Sequence, residues 1–113
     1  MTIRALAVCS LLMCSGTALA GGDAAYATYC ATCHGAAGAG DGPVAAGLNP
    51  KPADFTTAEF WESTDDATVK KAIMDGGTAI GKSPLMPPQK GVIASEAELD
   101  ALLVYLKSLR KSE

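Results

Sequence analysis

Two cysteines and a histidine stand within five consecutive residues, Cys30-Ala31-Thr32-Cys33-His34. If this segment is helical, the two thiols lie on one face and can reach the two vinyl groups of one porphyrin, while the imidazole points to the same side. The C-x-x-C-H pattern is the one to which c-type haem is attached covalently. The pattern therefore predicts one haem c, bound through thioethers to Cys30 and Cys33, with His34 as the proximal iron ligand.

Two other interpretations of the motif are weaker. A structural zinc site requires four ligands, and beyond residue 20 the chain offers only two cysteines and one histidine. A thioredoxin-like C-x-x-C would follow a strand within a βαβ pattern, and no such pattern is visible. The motif therefore favours haem attachment over metal binding or thiol–disulfide exchange.

An iron bound by His34 has a second axial position, and few residues could fill it. His34 is the only histidine, which excludes a bis-histidine site within one chain. Beyond residue 20 the methionines are Met74 and Met86. Met74 falls in a predicted helix and is assigned to the core, whereas Met86 lies in an irregular segment stiffened by prolines, where holding a thioether against iron costs little chain entropy. Met86 is therefore the predicted distal ligand.

Two further residues are candidates for contacts near the haem. A metal-bound histidine donates its other ring N–H to a carbonyl or carboxylate, and Pro43 presents a rigid carbonyl shortly after His34. Pro43 is therefore the predicted support of His34, the alternative being an ordinary turn proline. Trp61 has two interpretations: its indole N–H donates to a haem propionate, or its ring fills space beside Phe60.

Three helices are predicted to position these residues. The first runs from about Asp23 to Cys33 with Asp23 as N-cap, and the second from about Asp65 to Asp75 with Ser63 or Thr64 as cap. The third begins at a capping box, Ser95-Glu96-Ala97-Glu98. The predicted inner faces comprise Val69, Ala72 and Ile73 of the second helix, and Leu99, Leu102, Leu103, Leu106 and Leu109 of the third.

Two long loops separate the predicted helices, over residues 35–57 and 76–94. Structureless loops of this length are uncommon in a compact domain unless they have a role. A porphyrin would give them a hydrophobic core to wrap, which is preferred here over flexible linkers. Since no strand pattern is present, the predicted fold class is all-α, with three main helices and two long loops around one covalent haem.

Residues 1–20 resemble a secretory signal peptide. Its features are Arg4 near the start, an apolar run from Ala5 to Met13 and the small-residue site Ala18-Leu19-Ala20. The run is too short to span a bilayer, and Met13 before Cys14 disfavours a lipid anchor. We expect cleavage after Ala20, one haem-binding domain over residues 21–113, no stable membrane anchor, and export to the periplasm of a Gram-negative bacterium.

The charge balance restricts the partners. The chain carries 12 acidic and 9 basic side chains, a net charge of −3, and one of the basic residues leaves with the predicted signal. An acidic surface disfavours nucleic acid and anionic membranes as partners. Lys82 and Lys90 near Met86, together with Lys51, could still form a local positive rim.

The chain resembles class I monohaem cytochromes c of the bacterial periplasm over essentially all residues after Ala20. The matching residues are Gly22, Tyr26, Cys30–His34, Pro43, Met86-Pro87, Leu102, Tyr105 and Leu106. A variant of bacterial members is similar over Gly40-Asp41-Gly42-Pro43, Leu48, Pro50, Pro52 and Asp54-Phe55. The resemblance implies the cytochrome c fold, in which Gly22 and Tyr26 meet the Leu102/Tyr105 face where the terminal helices cross.

The resemblance also implies a function: a soluble, monomeric electron carrier, not an enzyme, whose haem iron cycles between Fe(III) and Fe(II) with His34 and Met86 as axial ligands. Its partners would be a protein donor and a protein acceptor that dock transiently at the haem edge. Two alternatives stay open. One is a haem subunit of a larger periplasmic oxidoreductase. The other is a ligand-binding or peroxidase-like protein with an open sixth position, which would need a distal acid–base residue; beyond residue 20 the chain has a single arginine, Arg110, and no second histidine.

Overall fold

The computed structural model describes residues 21–111, which contain five α-helices and no β-strand. The helices are α1 (Gly22–Tyr29), α2 (Ala31–His34), α3 (Ala58–Ser63), α4 (Asp66–Asp75) and α5 (Glu96–Ser108). Two 3-10 turns, Ala45–Gly47 and Gly77–Ile80, interrupt the long loops. The all-α prediction is confirmed. The predicted signal peptide lies outside the described residues, and within them no helix is long and apolar enough to cross a membrane.

The first predicted helix is divided at Cys30. That residue has φ −116° and ψ −36°, away from regular helical values, so that α1 and α2 are separate elements. Hydrogen bonds nevertheless continue across the break, because the Cys30 N–H donates to Tyr26 O (2.9 Å) and the His34 N–H to Cys30 O (2.9 Å). The motif therefore lies on a nearly continuous helical segment, as its spacing requires.

Two helix starts differ from prediction. Asp23 is not an N-cap, because α1 begins one residue earlier behind Gly21, and Asp23 lies instead in the first turn. The cap of α4 is Asp65 rather than Ser63 or Thr64, since Asp65 Oδ1 accepts the Thr68 N–H at 2.8 Å. Hydrogen bonding to Thr68, first from its side chain and then from this backbone N–H, holds the pKa of Asp65 below its usual value.

The capping box of α5 is present with one change of partner. Ser95 Oγ accepts the Glu98 N–H at 3.1 Å. In return, Glu98 Oε2 accepts the N–H of Ala94 (2.8 Å), one residue before the cap, rather than that of Ser95 itself. Both contacts satisfy donors at the helix start.

Helix α3 was not among the predicted helices. It has six residues and begins at Thr57, whose Oγ1 accepts the Phe60 N–H at 3.3 Å. The preceding Asp54 closes a local turn, because its Oδ1 accepts the Thr56 N–H at 2.9 Å. A helix this short has no clear periodicity, and the cap is its only signal in the sequence.

The core lies where α1, α4 and α5 meet. Its buried side chains are Tyr26, Phe55, Val69, Ile73, Ile93, Leu99, Leu102, Leu103 and Leu106. The predicted inner faces of α4 and α5 are buried, apart from Leu109, which is half-buried against this core.

The terminal helices cross at Gly22. A Cβ atom there would lie 2.5 Å from Ala101 O and 3.2 Å from the Tyr105 Cβ, so only glycine allows this approach. Tyr26 packs beside Tyr105 with ring centroids 5.3 Å apart. Its hydroxyl donates to the carbonyl of Gly35, directly after the motif, at 2.5 Å. The crossing of the terminal helices is thereby linked to the end of the Cys30–His34 segment, which is called the attachment segment below.

Candidate haem-attachment site

Cys30 and Cys33 are free, half-buried thiols separated by one helical turn. Burial, and to a smaller extent the neighbouring Cys33, raise the pKa of Cys30 to about 11. Cys30 is therefore a protonated thiol at neutral pH, and thiolate reactivity is suppressed there. Two half-buried cysteines one helical turn apart fit the two thioether bonds of a covalent haem.

His34 is buried at the end of α2, with 8 % of its surface exposed. Its Nδ1 lies 3.1 Å from the carbonyl oxygen of Ala53. Because a carbonyl can only accept, Nδ1 carries the proton and donates it, which leaves Nε2 with a free lone pair. Burial lowers the pKa of His34, although the bond to Ala53 opposes the shift. A neutral imidazole with a fixed tautomer is the form that binds iron.

The carbonyl that supports His34 belongs to Ala53, and the expectation that it belongs to Pro43 is corrected. Pro43 is exposed. On either side of it, the chain is bonded to the backbone of the motif: the Gly42 N–H donates to Cys33 O (3.1 Å) and the Val44 N–H to Thr32 O (3.3 Å). Pro43 is thereby held beside the attachment turn and not at the imidazole.

Ala53 reaches His34 because the loop after the motif folds back on itself. The Phe55 N–H donates to Gly38 O at 2.7 Å, which closes the loop. Gly40 lies so near the returning chain that a Cβ atom on it would stand 2.6 Å from Pro52 O. The Gly40 N–H in turn donates to His34 O at 2.8 Å. These contacts bring the Pro52–Ala53 backbone over the imidazole edge.

Phe55 covers the face of the same imidazole. The two rings are stacked with centroids 4.6 Å apart and an angle of 24° between their planes. Phe55 has only 6 % of its surface exposed. The sequence predicts no role for Ala53 or Phe55; the only signal is the resemblance of Pro52 and Asp54-Phe55 to the variant of bacterial members.

Trp61 packs beside Phe60, in keeping with the second of its two interpretations. The two rings meet edge to face at 4.9 Å and 88°. The indole N–H of Trp61 donates to Phe55 O at 2.9 Å and is thereby occupied. Trp61 thus supports the residue that stacks on His34, and a propionate would have to displace this bond.

Met86 is half-buried in a loop fixed to the end of α4. Met86 O accepts the Gly77 N–H (3.0 Å), and the Gln89 N–H donates to Ile73 O (2.8 Å). Met74, the other methionine, is half-buried against the hydrophobic core. These contacts anchor the Met86 loop at both ends.

The tip of the Met86 loop is apolar and flanked by cations. Leu85 is 59 % exposed. Lys82 and Lys90 are exposed on either side of it in the sequence, and Lys51 is exposed on the other long loop. The three lysines from which the sequence predicts a positive rim are therefore exposed to solvent.

Comparison with known proteins gives one family and two structural relatives. A family model described as "Cytochrome c" matches residues 19–110. A c-type cytochrome named KustC0563 superposes with a TM-score of 0.64 at 28 % identity, covering 80 % of this chain and 98 % of that one. A chain of the reducing HAO-like protein complex Kustc0457/Kustc0458 of Kuenenia stuttgartiensis gives a TM-score of 0.61 at 27 % identity, covering 80 % of this chain and 42 % of that one. No curated protein sequence matches significantly.

Proposed function

Because the chain belongs to the cytochrome c family, we propose that it is a soluble periplasmic electron carrier with one haem, ligated by His34 and Met86. Family membership itself implies a covalently bound haem c and a role in electron transfer. The observation that carries the proposal is the arrangement around His34. A buried neutral imidazole, its Nδ1 proton given to Ala53, lies beside two half-buried thiols.

The residues of the site fit a haem c. Cys30 and Cys33 would form the thioethers, and the Nε2 of His34 would bind the iron. When bound, the haem supplies an iron that accepts and releases one electron between Fe(III) and Fe(II). The hydrogen bond from His34 to Ala53 keeps the ring in one tautomer and increases its strength as a ligand. The buried surroundings exclude water, which favours the less charged, reduced iron.

Met86 is the proposed distal ligand. It lies in a loop held by backbone hydrogen bonds to α4 and to the following 3-10 turn. Three prolines stiffen this loop, so little entropy is lost when the thioether binds. Thioether ligation raises the reduction potential, because the soft sulfur stabilises the reduced metal.

Ligation of both axial positions would make the protein a carrier rather than an enzyme. A peroxidase-like protein needs a distal acid–base group. His34 is the only histidine of the chain, and Arg110 is its only arginine beyond the predicted signal peptide. Electrons would then pass at the exposed haem edge during transient docking of a monomer with its donor and its acceptor.

A second candidate function is a haem subunit of a larger oxidoreductase. It is favoured by the similarity to a chain of the reducing HAO-like complex, 42 % of whose length is covered by the match. The two candidates differ in assembly, because a subunit would co-purify with a partner from its native source in fixed ratio.

The test of axial ligation compares two methionine variants. We expect the oxidised wild-type protein to show the weak near-infrared band of iron–sulfur(Met) ligation, and Met86→Ala to lose it and to bind carbon monoxide when reduced. Met74→Leu, the matched control, should keep the band. The proposal is wrong if the wild type lacks the band and binds carbon monoxide rapidly, or if Met74→Leu alone removes the band.

A further inference from the structure

We infer that Phe55 is a positioning residue for His34, fixing the plane of the imidazole and shielding it from water. The inference rests on the proposed ligation of the haem iron by His34. Phe55 itself would not bind the iron. It would act only by contact with the face of the His34 imidazole.

Two contacts are needed to fix a ring in space, and His34 has both. The hydrogen bond to Ala53 O, 3.1 Å long, fixes the direction of Nδ1 within the ring plane. The ring can still swing about its Cβ–Cγ bond over the range of angles that one hydrogen bond tolerates. The stack on Phe55, with centroids 4.6 Å apart and planes 24° from parallel, restricts this remaining motion. The orientation of the imidazole plane is thereby determined from an edge and from a face.

Phe55 can act as a support because it is itself held on all sides. Its N–H donates to Gly38 O (2.7 Å), and its carbonyl accepts the Trp61 indole N–H (2.9 Å). Phe60 meets the Phe55 ring edge to face, with centroids 5.2 Å apart and planes at 73°. Both backbone groups of Phe55 are bonded and its ring is buried, so a change of its rotamer would disrupt several contacts at once.

Shielding and orientation have different consequences at the iron. The oxidised iron carries one more positive charge than the reduced iron, and a dry ligand environment disfavours that charge. Loss of the Phe55 ring would open a cavity beside His34, raise the local polarity and lower the reduction potential. Rotation of the imidazole would redistribute unpaired spin over the porphyrin and change the pattern of shifted haem-methyl proton resonances.

The experiment compares Phe55→Leu with Phe60→Leu in the haem-loaded protein. Phe60 belongs to the same aromatic cluster, but among the described residues its ring meets those of Phe55 and Trp61 and not that of His34. We expect Phe55→Leu to lower the midpoint potential and to change the haem-methyl shift pattern of the oxidised protein. Phe60→Leu should leave the pattern as in the wild type and move the potential less.

The inference is overturned if the two variants give the same haem-methyl pattern as the wild type, or if both change it equally. If Phe55→Leu does not accumulate with haem, Phe55→Met, whose flexible chain fills more of the vacated space, takes its place under the same criteria. A wild-type protein whose oxidised iron is not bound by an imidazole would refute the proposed function, and this inference with it. A change confined to Phe55 in a His34-ligated protein supports both.

Discussion

Near the turn that carries Cys30, Cys33 and His34, the choice of residue is restricted where another backbone segment comes very close. Gly42 is buried against the motif, and a Cβ atom on it would stand 2.6 Å from the carbonyl carbon of Thr32 and 2.7 Å from Ala31 O. The obstacles are backbone atoms and cannot rotate away. The identity of residue 42 therefore affects the backbone geometry of the segment that carries Cys30, Cys33 and His34.

We expect Gly42→Ala to lower the free energy of unfolding by about 1–3 kcal/mol, the cost typical of overpacking, and to reduce the yield of haem-loaded protein. Chemical denaturation and haem-stained denaturing gels would measure the two effects. Gly47→Ala is the matched control, since a Cβ atom at Gly47 meets nothing within 4 Å. Equal yield and stability for the two variants would contradict this account.

At the same scale, residue type and spacing can mark only those residues whose chemistry would lie in their side chains. Cys30, Cys33 and His34 are predicted in this way. The support of His34 was assigned to Pro43, but the acceptor is Ala53 O, a backbone carbonyl that any residue possesses. No residue type marks such an acceptor, and only the path of the loop brings it to the imidazole. The same holds for Phe55, whose role depends on the ring it faces.

Among the helices, α5 shows most clearly which contacts stabilise it. Ser95 caps it, and acidic side chains occupy its first turn. It is also joined to α4 by ion pairs, Lys70 with Asp100 (2.5 Å) and Lys107 with Asp66 (2.7 Å). These pairs are largely exposed, so we assign the stability of the contact mainly to the buried leucines.

We predict that Ser95→Ala destabilises the protein by about 1 kcal/mol, since the Glu98 N–H loses its acceptor. Thermal unfolding followed by circular dichroism would detect the shift. Ser95→Asp, which keeps an oxygen acceptor at the cap, should stay close to the wild type. If Asp and Ala at this position are equally destabilising, the cap is not the cause.

The prediction of elements succeeded for long helices and failed for short ones. The leucine spacing of α5 and the Val69–Ile73 face of α4 indicated both helices, and α4 ends at Asp75 as expected. Helix α3 was missed, since six residues give no periodicity to recognise. The positions of the caps shifted by one or two residues, because neighbouring polar side chains such as Thr64 and Asp65 compete for the same N–H groups.

On the scale of the whole molecule, the two terminal helices and the returning loop converge on the attachment segment. Tyr26 links the α1–α5 crossing to Gly35, and Phe55 links the loop to His34. The fold class and this crossing were predictable, because they follow from the pattern of apolar residues and from the family resemblance. The return of the loop over His34 was not predicted, since it depends on backbone contacts at glycines.

Mass spectrometry of the purified, denatured protein would show whether one haem is bound covalently at Cys30 and Cys33. We expect the mass of a chain beginning at Gly21 plus one haem, with the added mass located by fragmentation on the peptide containing Cys30–His34. A bare polypeptide mass, or a haem located on any other peptide, would contradict it.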